Sequence, residues 1–229
     1  MHPLDNVIWQ ALTTRQASFA EVCDNARRFD RDVTSLCAFD APSDSGYDAL
    51  ARLVGERGTA AVFLERPYEA RTGWEFVSGA PLLKMVCENG SHSRSPSSSN
   101  AELLQLGAAD SADMVELTAF TNPGPFGKRT HELGHYVGIR DNGKLVAMAG
   151  ERLKVPGYTE VSAVCTHPDH VGKGYAGALM LQVMSGIRER GETPFLHVRS
   201  NNTRAIAIYE RLGFRRRWEG HYAILRRTG

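Results

Sequence analysis

Apolar residues recur with different periods along the chain, and the period decides which element each stretch can form. Ala176, Leu179, Met180, Val183, Met184 and Ile187 fall at i, i+3, i+4, i+7, i+8 and i+11. That is one apolar helix face, and Gly191 can end the helix with a left-handed residue. "AELLQL" (101–106), "GYTEVSAVCT" (157–166) and "FLHV" (195–198) read as strands. "DSADMVELTAF" (110–120) reads as a helix stopped by the Gly and Pro of "NPGPFG", and Asn202 to Leu212 as another. "HYVGIRDNGKLVAMAGERL" (135–153) gives two strands around Asn142-Gly143, a pair that tolerates positive φ. "FRRRW" and "HYAILRR" read as two closing strands across Glu219-Gly220.

Upstream the pattern is mixed. "VIWQALTTRQASFAEVCDNARRF" (7–29) and "YDALARLVGER" (47–57) are helix-like, "AAVFLER" (60–66) and "LLKMVCE" (82–88) strand-like. Between the halves lies "ENGSHSRSPSSSN" (88–100), whose Ser, Gly, Asn and Pro cannot bury apolar surface. The expectation is an α/β (α+β) protein with a largely antiparallel sheet, split into a smaller α/β module over 1–97 and a second unit over 98–229.

Composition narrows the function. With 42% hydrophobic and 23% charged residues the chain can build a core. A net charge of +1, from 27 basic and 26 acidic residues, gives no field to hold a polyanion, so nucleic acid is not an expected partner. No apolar run approaches the roughly 20 residues that cross a bilayer, and "MHPLDNVIWQ" lacks a basic start and an apolar signal core. No membrane association and a cytoplasmic location are expected. Cys23, Cys37, Cys87 and Cys165 form no C-x-x-C pair and read as reduced, mostly buried thiols.

"HELGH" (131–135) matches His-Glu-x-x-His, by which some zinc proteases collect a metal from one turn of a continuous helix. Pro123, Gly124, Pro125 and Gly127 break any helix upstream, and Tyr136 to Asp141 run into the Asn-Gly hairpin. The helix is lacking, so a zinc metalloprotease is a weak alternative and no metal is expected.

"VCTHPDHVGKGYAGALM" (164–180) is a strand followed by a Gly-rich turn that opens the best helix of the chain. Gly172 and Gly174 let a ligand approach the backbone, and the unpaired N–H groups and dipole of a helix start suit a phosphate. A tight turn packed on glycines is the plain alternative. Further on, Asn202, Ala205 and Tyr209 share one helix face at i, i+3 and i+7.

Together these segments resemble the GCN5-related N-acetyltransferase (GNAT) family, in particular its FR47-like subgroup. "V-G-K-G-Y-A" (171–176) is similar to that family's Q/R-x-x-G-x-G/A pyrophosphate loop, and "N-x-x-A-x-x-I-Y-x-x-x-G-F" (202–214) to its second motif. Val171 departs from the pattern, removing a side-chain contact to phosphate, though a main-chain N–H is available in any residue.

The resemblance covers roughly 98–229 and implies the GNAT fold, a mixed, mostly antiparallel sheet flanked by helices. It also implies acetyl-CoA, or another acyl-CoA, as co-substrate. The arm would pair with Val164, Cys165 and Thr166, the pyrophosphate would lie on Val171, Gly172, Lys173, Gly174, Tyr175 and Ala176, and Asn202, Ala205 and Tyr209 would complete the site. The acceptor would be an amine of a small molecule or peptide.

Transfer to an amine needs a base for its proton and an acid for the leaving thiolate. The strand period puts Glu160, Ser162, Val164 and Thr166 on one face, where a carboxylate is costly without work or a partner. The resemblance makes Glu160 the base and Tyr209 the acid, with a solvated strand-face carboxylate and a core aromatic with a hydrogen-bonded hydroxyl as the plain alternatives. Cys165 would point away from the Glu160 face and take no covalent part. The acceptor would be walled by "TNPGPFGKRTHELG" (121–134). The first 97 residues are open between a degenerate copy of the fold, a lid and a module for homodimer formation. A CoA-sensing protein or a scaffold without turnover are the inactive alternatives.

Overall fold

The computed structural model describes residues 2–88 and 101–228, and the statements below concern those residues. The Ser-rich segment expected as a linker falls almost wholly outside them.

The N-terminal stretch gives α1 (Val7–Thr13), a small antiparallel sheet of β1 (Ala20–Cys23), β2 (Ala26–Phe29) and β3 (Cys37–Phe39), and α2 (Asp44–Val54). It continues into β4 (Thr59–Leu64) and β5 (Trp74–Val86). The remainder is β6 (Leu104–Leu106), α3 (Ser111–Thr121), β7 (Tyr136–Asp141), β8 (Lys144–Val155), β9 (Tyr158–Thr166), α4 (Tyr175–Glu189), β10 (Thr193–Arg199), α5 (Thr203–Arg211) and β11 (Arg215–Arg227).

One eight-stranded sheet runs β4-β11-β5-β10-β9-β8-β7-β6, and its only parallel pair is β9 with β10. The sheet therefore crosses residue 97: β4 and β5 from before it pair with β10 and β11 from after it. Burial explains the layers. Leu179, Met180, Val183, Met184 and Ile187 of α4 pack on Val137, Val146, Val161 and Leu196 on one face. On the other, α1 packs on Leu153, Val155 and Phe195, and α3 on Leu145, Met148 and Cys165. Asn142 and Gly143, at φ 49° and 80°, make the expected hairpin turn. Gly191, at φ 73°, follows the end of α4.

Two expectations fail for physical reasons. The stretch 7–29 is α-helical only to Thr13; after a 3-10 turn, Ala17–Phe19, it forms the β1–β2 hairpin, whose two-residue turn Asp24-Asn25 has Asp24 at φ 45°. The closing segment is one strand, not two. Gly220 lies within β11, where a Cβ would meet the Trp218 ring at 2.0 Å, so that glycine makes room for an indole rather than a turn. No helix among the described residues is long and apolar enough to cross a membrane.

Candidate functional site

The parallel pair β9–β10 is joined over three rungs, Tyr158 with Thr193, Thr159 with Pro194 and Glu160 with Phe195. Beyond that point β10 stays with β5, through Leu196–Met85 to Arg199–Leu82, while β9 stays with β8, through Cys165–Met148 and Thr166–Ala147. The edge of β9 from Val161 to Thr166 thus faces β10 without pairing. Ala163, at φ 52°, marks a bulge where the register against β8 slips between Met148 and Gly150. A cavity of about 320 Å³ occupies the gap, lined among others by Val164, Cys165, His197, Asn202 and Tyr209.

The bulge also corrects the expected facing of Cys165. Val161 and Val164 both pack toward α4, whereas Ala163 and Cys165 pack toward α3. Cys165 therefore lies on the Glu160 face, not opposite it. Its thiol is buried, which pushes it up to about 11 and keeps it neutral.

From Thr166 the chain makes a single 3-10 turn, Pro168–His170, and enters the glycine turn. Gly172 and Gly174 have φ of 91° and 78°, and Gly174 caps the start of α4. The Val171 N–H donates to the Pro168 carbonyl at 3.2 Å, so the residue expected to offer a main-chain donor has it engaged already. The N–H groups from Gly172 to Gly177 have no acceptor among the described residues. They form the donor set that a phosphate would use.

Comparison with known proteins fits this geometry. The family model for FR47-like proteins matches residues 136–223. The N-alpha-acetyltransferase RimI of Mycobacterium tuberculosis is 36% identical over 85 residues, 36% of this chain and 52% of that protein, so the chain matches about half the length of this curated relative. A structure from Novosphingobium aromaticivorans assigned to the GNAT acetyltransferases has a TM-score of 0.89 at 33% identity, covering 100% of both chains. The chain belongs to the GNAT family. A GCN5-related N-acetyltransferase from Kribbella flavida, 18% identical with a TM-score of 0.65 over 99% of this chain and 96% of its own, shares the fold.

The second motif spans α5, and Asn202 and Tyr209 from it line the cavity. The Asn202 Oδ1 accepts from the Ala205 N–H at 3.1 Å, capping α5, which leaves its amide N–H groups for other partners. Ala205 and Tyr209 rest on the α4-side core. Tyr209 is half-buried, and burial pushes its phenol up to about 12, so it keeps its proton through neutral pH.

Glu160 is enclosed by hydrogen-bond donors. It is 1% exposed, and Arg152 donates to both its oxygens at 2.8 and 2.9 Å, the Leu153 N–H to Oε2 at 3.2 Å, and His197 Nδ1 to Oε1 at 2.7 Å. All four lone-pair positions are taken. Burial alone would raise this carboxyl, but the charge and hydrogen bonds of Arg152, with those of His197, outweigh it and hold the group well below the usual carboxylate range. Its engaged oxygens and lowered proton affinity weigh against the role of base that the resemblance implies. The partner that sequence reasoning missed is His197, three residues before Ser200 in "FLHVRS". The only signal for it was a histidine inside an apolar strand.

The "HELGH" segment forms a 3-10 turn, Thr130–Leu133, not a helix. His131 Nδ1 lies 3.1 Å from the Lys128 carbonyl, Glu132 is held by Arg129 at 2.8 Å through both oxygens, and His135 is exposed. Of the loop expected to wall the acceptor, Thr121 to Pro125 line the cavity, and His131, Glu132 and His135 are not part of its lining. Arg215, Arg216 and Arg217 lie on β11, where Arg217 pairs with Asp5 at 3.2 Å.

Proposed function

We propose that this GNAT protein is an N-acyltransferase that moves an acetyl group from acetyl-CoA to a primary amine by direct attack. The observation that carries this reading is the splay between β9 and β10. It places a cavity with Tyr209 and Asn202 beside an unpaired strand edge that leads straight into an unfilled row of N–H donors.

The residues divide the work. Val164 to Thr166 offer main-chain groups to an extended arm, as a strand edge does to an added strand. The turn from Gly172 to Ala176 holds the pyrophosphate, Asn202 donates its amide, and Tyr209 gives its proton to the departing sulfur. The neutral, buried Cys165 is a poor nucleophile, which favours direct transfer over a covalent intermediate.

The acceptor side is supplied by the N-terminal part. Phe63 of β4 lines the splay cavity and also a second cavity of about 520 Å³ bounded by Phe39, Tyr47, Glu65, Tyr68 and Lys84. A side chain that walls both spaces supports a route for the amine from the second cavity to the thioester.

The test is release of free thiol from acetyl-CoA as amines are added singly: amino acids, polyamines, aminoglycosides and peptides with free N-termini. Thiol release that requires an amine is expected. A rise in melting temperature with acetyl-CoA but no thiol release with any amine would make the protein a CoA-binding module instead.

A further inference from the structure

His197 lies in β10 at the point where β9 turns away, and its side chain is 3% exposed. Its Nδ1 is 2.7 Å from Glu160 Oε1. A carboxylate whose proton affinity is depressed can only accept, so Nδ1 carries the hydrogen of that bond and Nε2 of the neutral ring is a bare lone pair. Nε2 is buried and has no hydrogen-bond partner among the described residues. The ring is fixed by Phe63 at 4.6 Å and Phe195 at 5.8 Å between centroids. A buried acceptor without a partner costs stability unless something else uses it. His197 lines the same cavity as Tyr209 and Asn202.

We propose that His197 takes the proton of the acceptor nitrogen at Nε2, and that Glu160, locked by Arg152, acts through it as a positioning residue. This rests on the acyltransferase reading above. In the step, the amine lone pair bonds to the thioester carbonyl carbon, the carbon–sulfur bond breaks with its electron pair on sulfur, and one N–H proton passes to Nε2 while the Tyr209 hydroxyl proton passes to sulfur. The products are an amide, free thiol, an imidazolium and a phenolate, and the last two are reset by proton exchange with solvent.

A weakly basic ring suffices, because the nitrogen becomes strongly acidic as it bonds to the carbonyl carbon. Burial pushes the imidazole down to about 4 against the raising effect of Glu160, so it is neutral and able to accept at pH 7. The other charged groups around it are Arg152 of β8 and Lys84, its register partner on β5, with Tyr209 and Tyr222 on the cavity wall. Both cations disfavour a lasting imidazolium, which returns its proton readily.

The experiment uses the full chain, acetyl-CoA and the amine that releases most thiol. His197→Asn keeps a side-chain donor at the Nδ1 position toward Glu160 and removes the Nε2 lone pair. Its kcat is expected to fall about 100-fold or more, with KM for acetyl-CoA within about twofold. The acidic limb of the kcat profile, set by ionisation of this ring, should vanish. Histidine labelled with 15N should report Nδ1 protonated and Nε2 bare in the native chain, and a mixture of tautomers in Glu160→Gln. A His197→Asn protein that is folded and keeps kcat within about twofold overturns the catalytic role, whatever Glu160→Gln does. An unchanged tautomer in Glu160→Gln overturns the positioning role. Thiol release from no amine at all, with acetyl-CoA still bound, defeats the acyltransferase reading and this inference with it.

Discussion

Phe195 and Glu160 form the last rung between β10 and β9, and the cavity lined by His197, Asn202 and Tyr209 opens past that rung. Before it the two strands share hydrogen bonds. After it, the bulge at Ala163 keeps β9 on β8 while β5 keeps hold of β10, and the gap between them becomes the cavity. The split costs backbone hydrogen bonds that an intact sheet would make, which an arm carrying its own amides can replace.

Gly174, at φ 78°, opens α4 next to the unpaired N–H groups. Gly174→Asp adds a side chain in a left-handed conformation and a negative charge where two phosphates are placed by the proposed function. Acetyl-CoA affinity by calorimetry is expected to drop at least about tenfold, or about 1.4 kcal/mol. Unchanged affinity would put the cofactor elsewhere.

Tyr209→Phe removes one oxygen and keeps the ring that rests on Phe214 at 6.1 Å between centroids. Melting temperature and acetyl-CoA affinity should persist while turnover falls by roughly ten- to a thousandfold, the loss of one general acid. Turnover at the native rate would remove Tyr209 from the chemistry.

Arg152→Met leaves Glu160 buried without its main counter-charge. Breaking a buried pair from one side is expected to cost about 3–5 kcal/mol in urea unfolding, far more than losing a surface pair such as Arg226 with Glu75. A loss under about 1 kcal/mol would mean that the network is less buried than it stands here.

The folded-state proton affinities of Glu160 and His197 both lie below their ordinary values of 4.5 and 6.5. Groups depressed on folding contribute stability above the unfolded value and lose it as pH falls through the folded one. The melting temperature should therefore decline from about pH 6.5 to pH 4 as unfolding becomes linked to protonation of His197, and fall further below 4.5 through Glu160. His197→Asn should flatten the first part of that decline. A native profile flat from pH 7 to 4 would argue against a buried neutral imidazole.

Because Glu132 is held by Arg129 and "HELGH" has no helix, activity should survive chelator and His131→Ala. Stoichiometric zinc measured in purified protein and lost together with activity in that variant would reverse this ranking.

The sequence by itself determined what local chemistry determines. The stripe from Ala176 to Ile187 made α4, Asn142-Gly143 made its hairpin, and the glycine turn with Asn202, Ala205 and Tyr209 spelled the GNAT motifs, because period, positive φ and helix spacing are properties of neighbouring residues. Tertiary structure decided the rest. That β4 and β5 complete the C-terminal sheet depends on pairings well over a hundred residues apart, which no periodicity encodes. The facing of Cys165 depended on a bulge at an alanine, a residue that carries no left-handed signal. The proton affinities of Glu160 and His197 depended on the packing of Arg152 beside them, since a carboxylate's proton affinity follows from the charges and donors around it and not from its place in a strand.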